Sequence, residues 1–122
     1  DGVLSDISDE LGCPLSIDYS LHDGAVAFEY LDGSDWTIAF WDGTNPFRVI
    51  ADGHEPSLYA GTIAFEFWDG DWEIGYWDGV QVIRITDNDY SDMQPSLHDG
   101  ILAWTGRPPG SLDQIFYARL ED

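Results

Sequence analysis

The densest run of potential ligand atoms lies in the stretch TDNDYSDMQ, where Asp87, Asn88, Asp89 and Asp92 put four oxygen-bearing side chains within six residues. A hard cation such as Ca²⁺ takes about six to eight oxygens. The opening spacing is that of an EF-hand loop, but the loop's glycine and closing glutamate are missing. Ca²⁺ at these four residues is thus the one cofactor the sequence suggests; otherwise no cofactor is expected. A solvated loop of Asx-turns explains the same residues without a metal. Three histidines offer softer ligands: His22 and His98 each follow a Ser-Leu pair, and His54 sits in the acidic stretch ADGHE, where solvent exposure is expected. A transition metal would suit a His pair, and a hydrogen bond from each ring to nearby backbone is the simpler account.

Aromatic and acidic side chains suggest other chemistry. Any of the six tryptophans could stack on a sugar ring. Trp68 stands beside a turn and has no counterpart earlier in the chain, which makes it the expected exposed platform. Trp36, Trp41, Trp72, Trp77 and Trp104 are expected in the core. Glu29 and Glu66 fall at matching places, and paired carboxylates can hydrolyse glycosides. Matching residues in successive units are more simply structural, and pairing with Arg48 and Arg84 is the expectation. There is no G-x-S-x-G elbow, no glycine-rich phosphate loop after a strand and no H-E-x-x-H. No enzyme is expected.

Composition narrows the partners. The chain of 122 residues carries 24 acidic residues against four arginines and no lysine, a formal charge of −20. Such a surface repels nucleic acid and anionic membranes, which are bound mainly through Lys and Arg. Cations, basic peptides and neutral ligands stay open. Eight aspartates stand directly before glycine, where turn chemistry accounts for them. Cys13 is alone, so no intrachain disulfide is expected. No apolar run approaches the roughly 20 residues of a membrane span. The opening at Asp1 is compatible with a removed leader.

The elements that must position these residues are legible from residues 56–86, PSLYAGTIAFEFWDGDWEIGYWDGVQVIRIT. Four short apolar runs are separated by Ala60-Gly61, Asp69-Gly70 and Asp78-Gly79. Asp-Gly between alternating runs signals a type I′ hairpin, with positive φ at both central residues. Four strands in a meander follow. The pattern recurs at both flanks: Ser20, Ser57 and Ser96 align, as do Gly24, Gly61 and Gly100, and Ile38, Ile74 and Ile115, at a period of about 38 residues. Units are expected at 14–50, 56–86 and 95–120. Alternation puts Val26, Phe28 and Tyr30 on one face and Ala25, Ala27 and Glu29 on the other, as suits sheets packed on both sides.

The repeat P-S-L-x-x-G-x-I-A-F … D-G-x-W-E-I-x-x-W-D-G … R-I-T resembles the WD40-like β-propeller repeat of TolB-type proteins, over nearly the whole chain and most closely in its middle unit. That resemblance implies four-stranded antiparallel blades and a six-bladed ring. Three blades cannot close a ring, since propellers run to about four to eight. The third unit ends after its third strand, while residues 2–8 align with a fourth strand. The expectation is an all-β homodimer, a six-bladed propeller in which each N-terminal strand completes the other subunit's last blade. The rival is that these residues belong to a longer chain.

In such a ring, loops 8–13, 51–55 and 86–94 share one face with the hairpins at 31–35, 69–71 and 106–112. The fold analogy makes this the binding face. Trp68, Asp32, Asp35, Asp69, Asp71 and Arg107 are its expected ligand-binding residues. The function expected is a non-enzymatic binding module presenting an acidic loop face to a protein or small ligand. A carbohydrate-binding propeller is the alternative, with a glycosidase-like enzyme behind it.

Overall fold

Short alternating runs broken by glycine bury one face as strands far better than as helices. The computed structural model describes residues 16–120, and strands are the only regular elements among them. The first sheet is β1 (Ser16–His22), β2 (Ala25–Asp32), β3 (Asp35–Trp41) and β4 (Arg48–Asp52). The second is β5 (His54–Tyr59), β6 (Thr62–Trp68), β7 (Trp72–Trp77) and β8 (Val82–Arg84). The third is β9 (Asp92–His98), β10 (Ile101–Gly106) and β11 (Gln114–Arg119). Each is a simple antiparallel meander in chain order. The expected strand at residues 2–8 lies outside the described residues. Among those described, the outer edge of β11 is unpaired.

The turns divide by position. Between first and second strands both central residues are left-handed: Asp23 and Gly24 at φ 53° and 81°, Ala60 and Gly61 at 51° and 77°, Asp99 and Gly100 at 49° and 80°. These are the type I′ hairpins. The Asp69-Gly70 and Asp78-Gly79 turns differ from the sequence expectation, because only their glycines have positive φ. There the aspartate works as an acceptor. Asp78 Oδ1 accepts the N–H groups of Gln81 and Val80, each at 2.8 Å, and Asp42 Oδ1 accepts those of Asn45 and Thr44, each at 2.9 Å. These bonds hold both carboxyls below the usual carboxylate range.

The sheets pack face to face in sequence order, with β5 against β1 and β9 against β5. Ala27 and Ile38 of the first sheet meet Leu58, Ile63, Phe65 and Trp77 of the second. Ala64 and Ile74, from the second sheet's other face, meet Leu97 and Leu102 of the third. Phe28, Tyr30 and Ala39 cluster on the first sheet's opposite face. The alternation read from the sequence therefore holds. Of the five tryptophans expected in the core, Trp77 is buried, whereas Trp36, Trp41, Trp72 and Trp104 are half-buried.

Every first strand breaks register near its start, opposite the second strand: between Ser16 and Tyr19, between His54 and Ser57, and between Met93 and Ser96. Glu55 and Gln94 sit in two of these bulges at φ 54° and 58°. Just before the second bulge the chain threads a tight gap at Gly53. A Cβ on Gly53 would lie 2.8 Å from the Phe65 ring, 2.9 Å from the Glu66 carbonyl oxygen and 3.3 Å from Ile38. One of those neighbours is backbone and cannot swing away. Gly53→Ala should therefore cost about 1–3 kcal/mol by overpacking, read as a lowered urea midpoint with an unchanged slope. An unchanged midpoint would show that the gap relaxes freely.

Candidate functional site

Polar bonds between sheets set the geometry of the loop face. Glu29 on β2 is 3% exposed, yet both its oxygens are occupied. Oε2 accepts the Glu55 N–H at 3.0 Å, and Oε1 meets His54 Nδ1 at 3.0 Å. Glu66, its counterpart on β6, accepts the Gln94 N–H through Oε2 at 2.9 Å. In each case a buried carboxylate of one sheet holds the bulge of the next. A second pair of bonds lies further along the first strands: Ser20 Oγ accepts the Leu58 N–H and Ser57 Oγ the Leu97 N–H, both at 2.9 Å. The pairing of Glu29 and Glu66 with Arg48 and Arg84, expected from sequence, does not form. Arg48 lies over the Trp77 ring, and Arg84 binds Asp69, Glu73 and Asp87. Alignment revealed the matched glutamates but not the bulge that presents an N–H to each.

Above these clasps two hollows adjoin. One, of about 330 Å³, is lined by Asp35, Trp36, His54, Phe67 and Trp68 among others. The other, of about 490 Å³, is lined by Glu29, Trp36, His54, Glu55, Glu66 and Trp72, together with Met93 and Gln94. Trp36 and Trp72 stand at the starts of β3 and β7, second and first residue respectively. The His54 ring stands between them, with centroid distances of 6.1 and 5.4 Å, and Trp68 meets Trp72 edge-on at 5.2 Å. His54 was expected to be solvent-exposed; its side chain is 33% exposed and tethered by Glu29. The sequence signal for this site was the matched Glu29 and Glu66 and the matched Trp36 and Trp72, both of which read as structural.

The sequence-selected residues separate. Trp68 is 63% exposed and shares the smaller hollow with Asp35. Asp32 is exposed on the same hairpin but lines neither hollow. Asp69 is held by Arg84 at 2.8 Å, and Arg107 pairs with Asp113 at 3.2 Å within its own hairpin. Asp71 keeps one buried oxygen without a hydrogen bond among the described residues.

The oxygens of the 86–94 loop serve its own structure. Asp87 binds Arg84, Asn88 Nδ2 donates to Asp92 Oδ2 at 2.8 Å, and Asp92 Oδ1 accepts from Trp104 Nε1 at 3.0 Å. Buried Glu73 anchors the loop by accepting from Thr86 Oγ1 at 2.6 Å and the Asn88 N–H at 3.3 Å. Burial pushes the Glu73 carboxyl up, and the Thr86 bond opposes that. Asp87, Asp89 and Asp92 do not converge as a Ca²⁺ site would require.

Asp18, Glu29 and Glu55 do converge, each with an oxygen within 4.8 Å of the others. Three donors fall short of the Ca²⁺ preference, and Glu29 already spends both oxygens. His22 and His98 do not converge on a metal either. His22 Nδ1 accepts the Ala60 N–H at 3.0 Å, and the Tyr59 ring lies between the two imidazoles at 4.3 and 4.6 Å.

The Glu55 carboxyl is pushed up to about 7, first by its hydrogen bond to Asp18, then by burial and the Asp18 charge. An acid raised from 4.5 to about 7 keeps its proton in the folded state over a range where the unfolded chain has released it. Stability from this group is full below pH 4.5 and is lost as pH rises through about 7. The melting temperature should therefore fall between pH 5 and pH 8. Glu55→Gln, which keeps a hydrogen bond to Asp18 without titrating, should shrink that fall by a few degrees. Equal falls in both proteins would remove Glu55 from the account. Comparison of the chain with protein-family models and with curated proteins gives no match.

Proposed function

We propose that the chain is half of a six-bladed β-propeller, a non-enzymatic binding module that closes its ring with a second copy and offers its loop face to a ligand. The carrying observation is the contrast between inner and outer flanks. Ile38 and Ile74 are both 0% exposed, and their counterpart Ile115 is 75% exposed. Leu58 and Leu97 are 4% and 6% exposed, and their counterpart Leu21 is 67% exposed. The residues that seal the inner interfaces are thus repeated at the two ends with nothing over them among the described residues.

The polar partners repeat as well. Ser96 matches the Ser20 and Ser57 acceptors, and Leu21 matches the Leu58 and Leu97 donors. His98 matches His22, whose acceptor takes the N–H of a turn equivalent to Asp23. A third sheet docked on a first sheet would reuse both bonds. Two such contacts related by a two-fold axis close a ring of six, leaving no sheet face outside. Each buried Ile or Leu side chain would add about 1.5–3 kcal/mol. The unpaired edge of β11 supports a fourth strand there, the role the sequence assigns to residues 2–8.

The non-enzymatic reading draws on Glu29 and Glu66, which act as acceptors for the bulges rather than standing free as an acid–base pair. A carbohydrate-binding module is the second reading, favoured by the exposure of Trp68 beside Asp35.

The assembly is tested by mass in solution. A particle of twice 13.7 kDa is expected. Ile115→Asp and Leu21→Asp should each give the single-chain mass with strand content retained, and deletion of residues 1–8 should yield monomers or aggregates. Raising salt should strengthen association, because each copy carries −20. A monodisperse single chain in the unaltered protein would exclude the ring.

A further inference from the structure

The larger hollow has a chemistry of its own. It is lined by the rings of Trp36, His54 and Trp72 and by the acidic side chains of Glu29, Glu55 and Glu66. No Lys or Arg lines it. Glu66 is 6% exposed and commits Oε2 to the Gln94 N–H. Its other oxygen has no hydrogen-bond partner among the described residues, and it is not one of the side-chain oxygens sealed away from the surface. A largely buried side chain that lines the hollow thus keeps one oxygen unpaired among the described residues. Burial pushes the Glu66 carboxyl upward, and the Gln94 bond and His54 oppose that.

Three ligand classes can be weighed against these walls. An anion would meet the carboxyl groups of Glu29, Glu55 and Glu66 and no Lys or Arg. A bare metal ion would favour the oxygens but gain little from two indoles. A sugar could stack on an indole, but much of the polar lining is carboxylate, which accepts hydrogen bonds and offers none while ionised. An organic ammonium ion uses everything present: its charge meets the unpaired oxygen of Glu66, and its methyl or methylene surface lies on the tryptophan faces. The volume of about 490 Å³ falls within the range of small-molecule sites.

We propose that this hollow binds a small organic ammonium ion, a methylated amine of the choline type. The proposal rests on the loop face being the binding face and names its ligand class. Every residue invoked lies in one chain, so ring closure and ligand binding can fail separately.

The test is titration of tryptophan fluorescence with choline chloride at constant ionic strength, beside choline's uncharged carbon isostere dimethylbutanol, calcium chloride and a methyl glucoside. Choline should give a saturable change, with the isostere at least about tenfold weaker. Glu66→Gln should weaken choline by about tenfold and Trp72→Phe by several-fold, with melting curves confirming that both variants fold. The Ile115→Asp protein should bind choline as the unaltered protein does, even if it is a monomer.

Equal binding of choline and its isostere would show that charge is not read, and would overturn the proposal. So would saturation by the glucoside or calcium alone, the former moving the site to the carbohydrate reading. Unchanged choline affinity in both Glu66→Gln and Trp72→Phe would place binding elsewhere. Absence of any saturable change would dismiss the ammonium site while leaving the assembly to its own test.

Discussion

The bond on which the arrangement turns is the one from a buried glutamate to a backbone N–H in the neighbouring sheet. Apolar faces supply most of the favourable free energy of packing, but they are non-directional and would tolerate sliding or rotation. The clasps from Glu29 to Glu55 and from Glu66 to Gln94 fix the relative position at one end, and the serine bonds fix it further along. A hydrogen bond to a charged group is worth about 1.5–3 kcal/mol. Holding a residue other than glycine in a left-handed bulge costs about 1–3 kcal/mol. The two terms are of one size, which accounts for glutamate and glutamine where such bulges usually carry glycine. Pro56 and Pro95 follow directly and are buried, so the strand leaves no further N–H to satisfy there.

The same bulge builds the site. By turning the chain where one sheet gives way to the next, it brings His54 and Glu55 into the space between Trp36 and Trp72. His54 is fixed by the glutamate that holds the bulge, so fold and site share an anchor. This coupling shows why the two were unequally legible in the sequence. The meander, the three units and the alternation of Val26 and Phe28 against Ala25 and Ala27 follow from periodicity, which is local. The bulge is an extra residue in one strand relative to its partner, and no spacing within a single strand displays it. Glu29 and Glu66 were visible as a matched pair, but their partners were sought among arginines because a backbone N–H has no letter. Two of the Asp-Gly pairs misled in a similar way, since the dipeptide serves both the type I′ turn and the Asx-turn that Asp78 adopts.

Charge is distributed with the same economy. Asp42 and Asp78 spend their negative charge on turn N–H groups, and Arg84 draws Asp69, Glu73 and Asp87 together at one corner. Arg48 is occupied by the face of Trp77 and Arg107 by Asp113. None of these arginines lines either hollow, and Glu29, Glu55 and Glu66 line the larger one without a Lys or Arg. The fixed charges at the larger hollow are therefore acidic apart from the His54 imidazole. A ligand that entered with a positive charge would gain from the aromatic walls and the carboxylates at once.

The ends of the chain depart from the internal pattern at one chemically telling place. Ser96, His98 and Ile115 repeat the features of the inner flanks, but the clasp glutamate is replaced by Thr105. The position it would serve in a following sheet is that of Asp18, the counterpart of Glu55 and Gln94. Asp18 already stands within 4.8 Å of carboxylates on Glu29 and Glu55, and a proton shared with Glu55 relieves that crowding. A third glutamate clasp would bring one more buried acid to the same cluster, where like charges raise one another's pKa and oppose ionisation. A threonine hydroxyl in its place can accept the same N–H or donate to a carboxylate. In a ring of two copies the substitution would fall only at the seams between chains, where two acidic ends must approach. The seam would then keep the packing and serine bonds of an inner interface while shedding the charge that would hold it open.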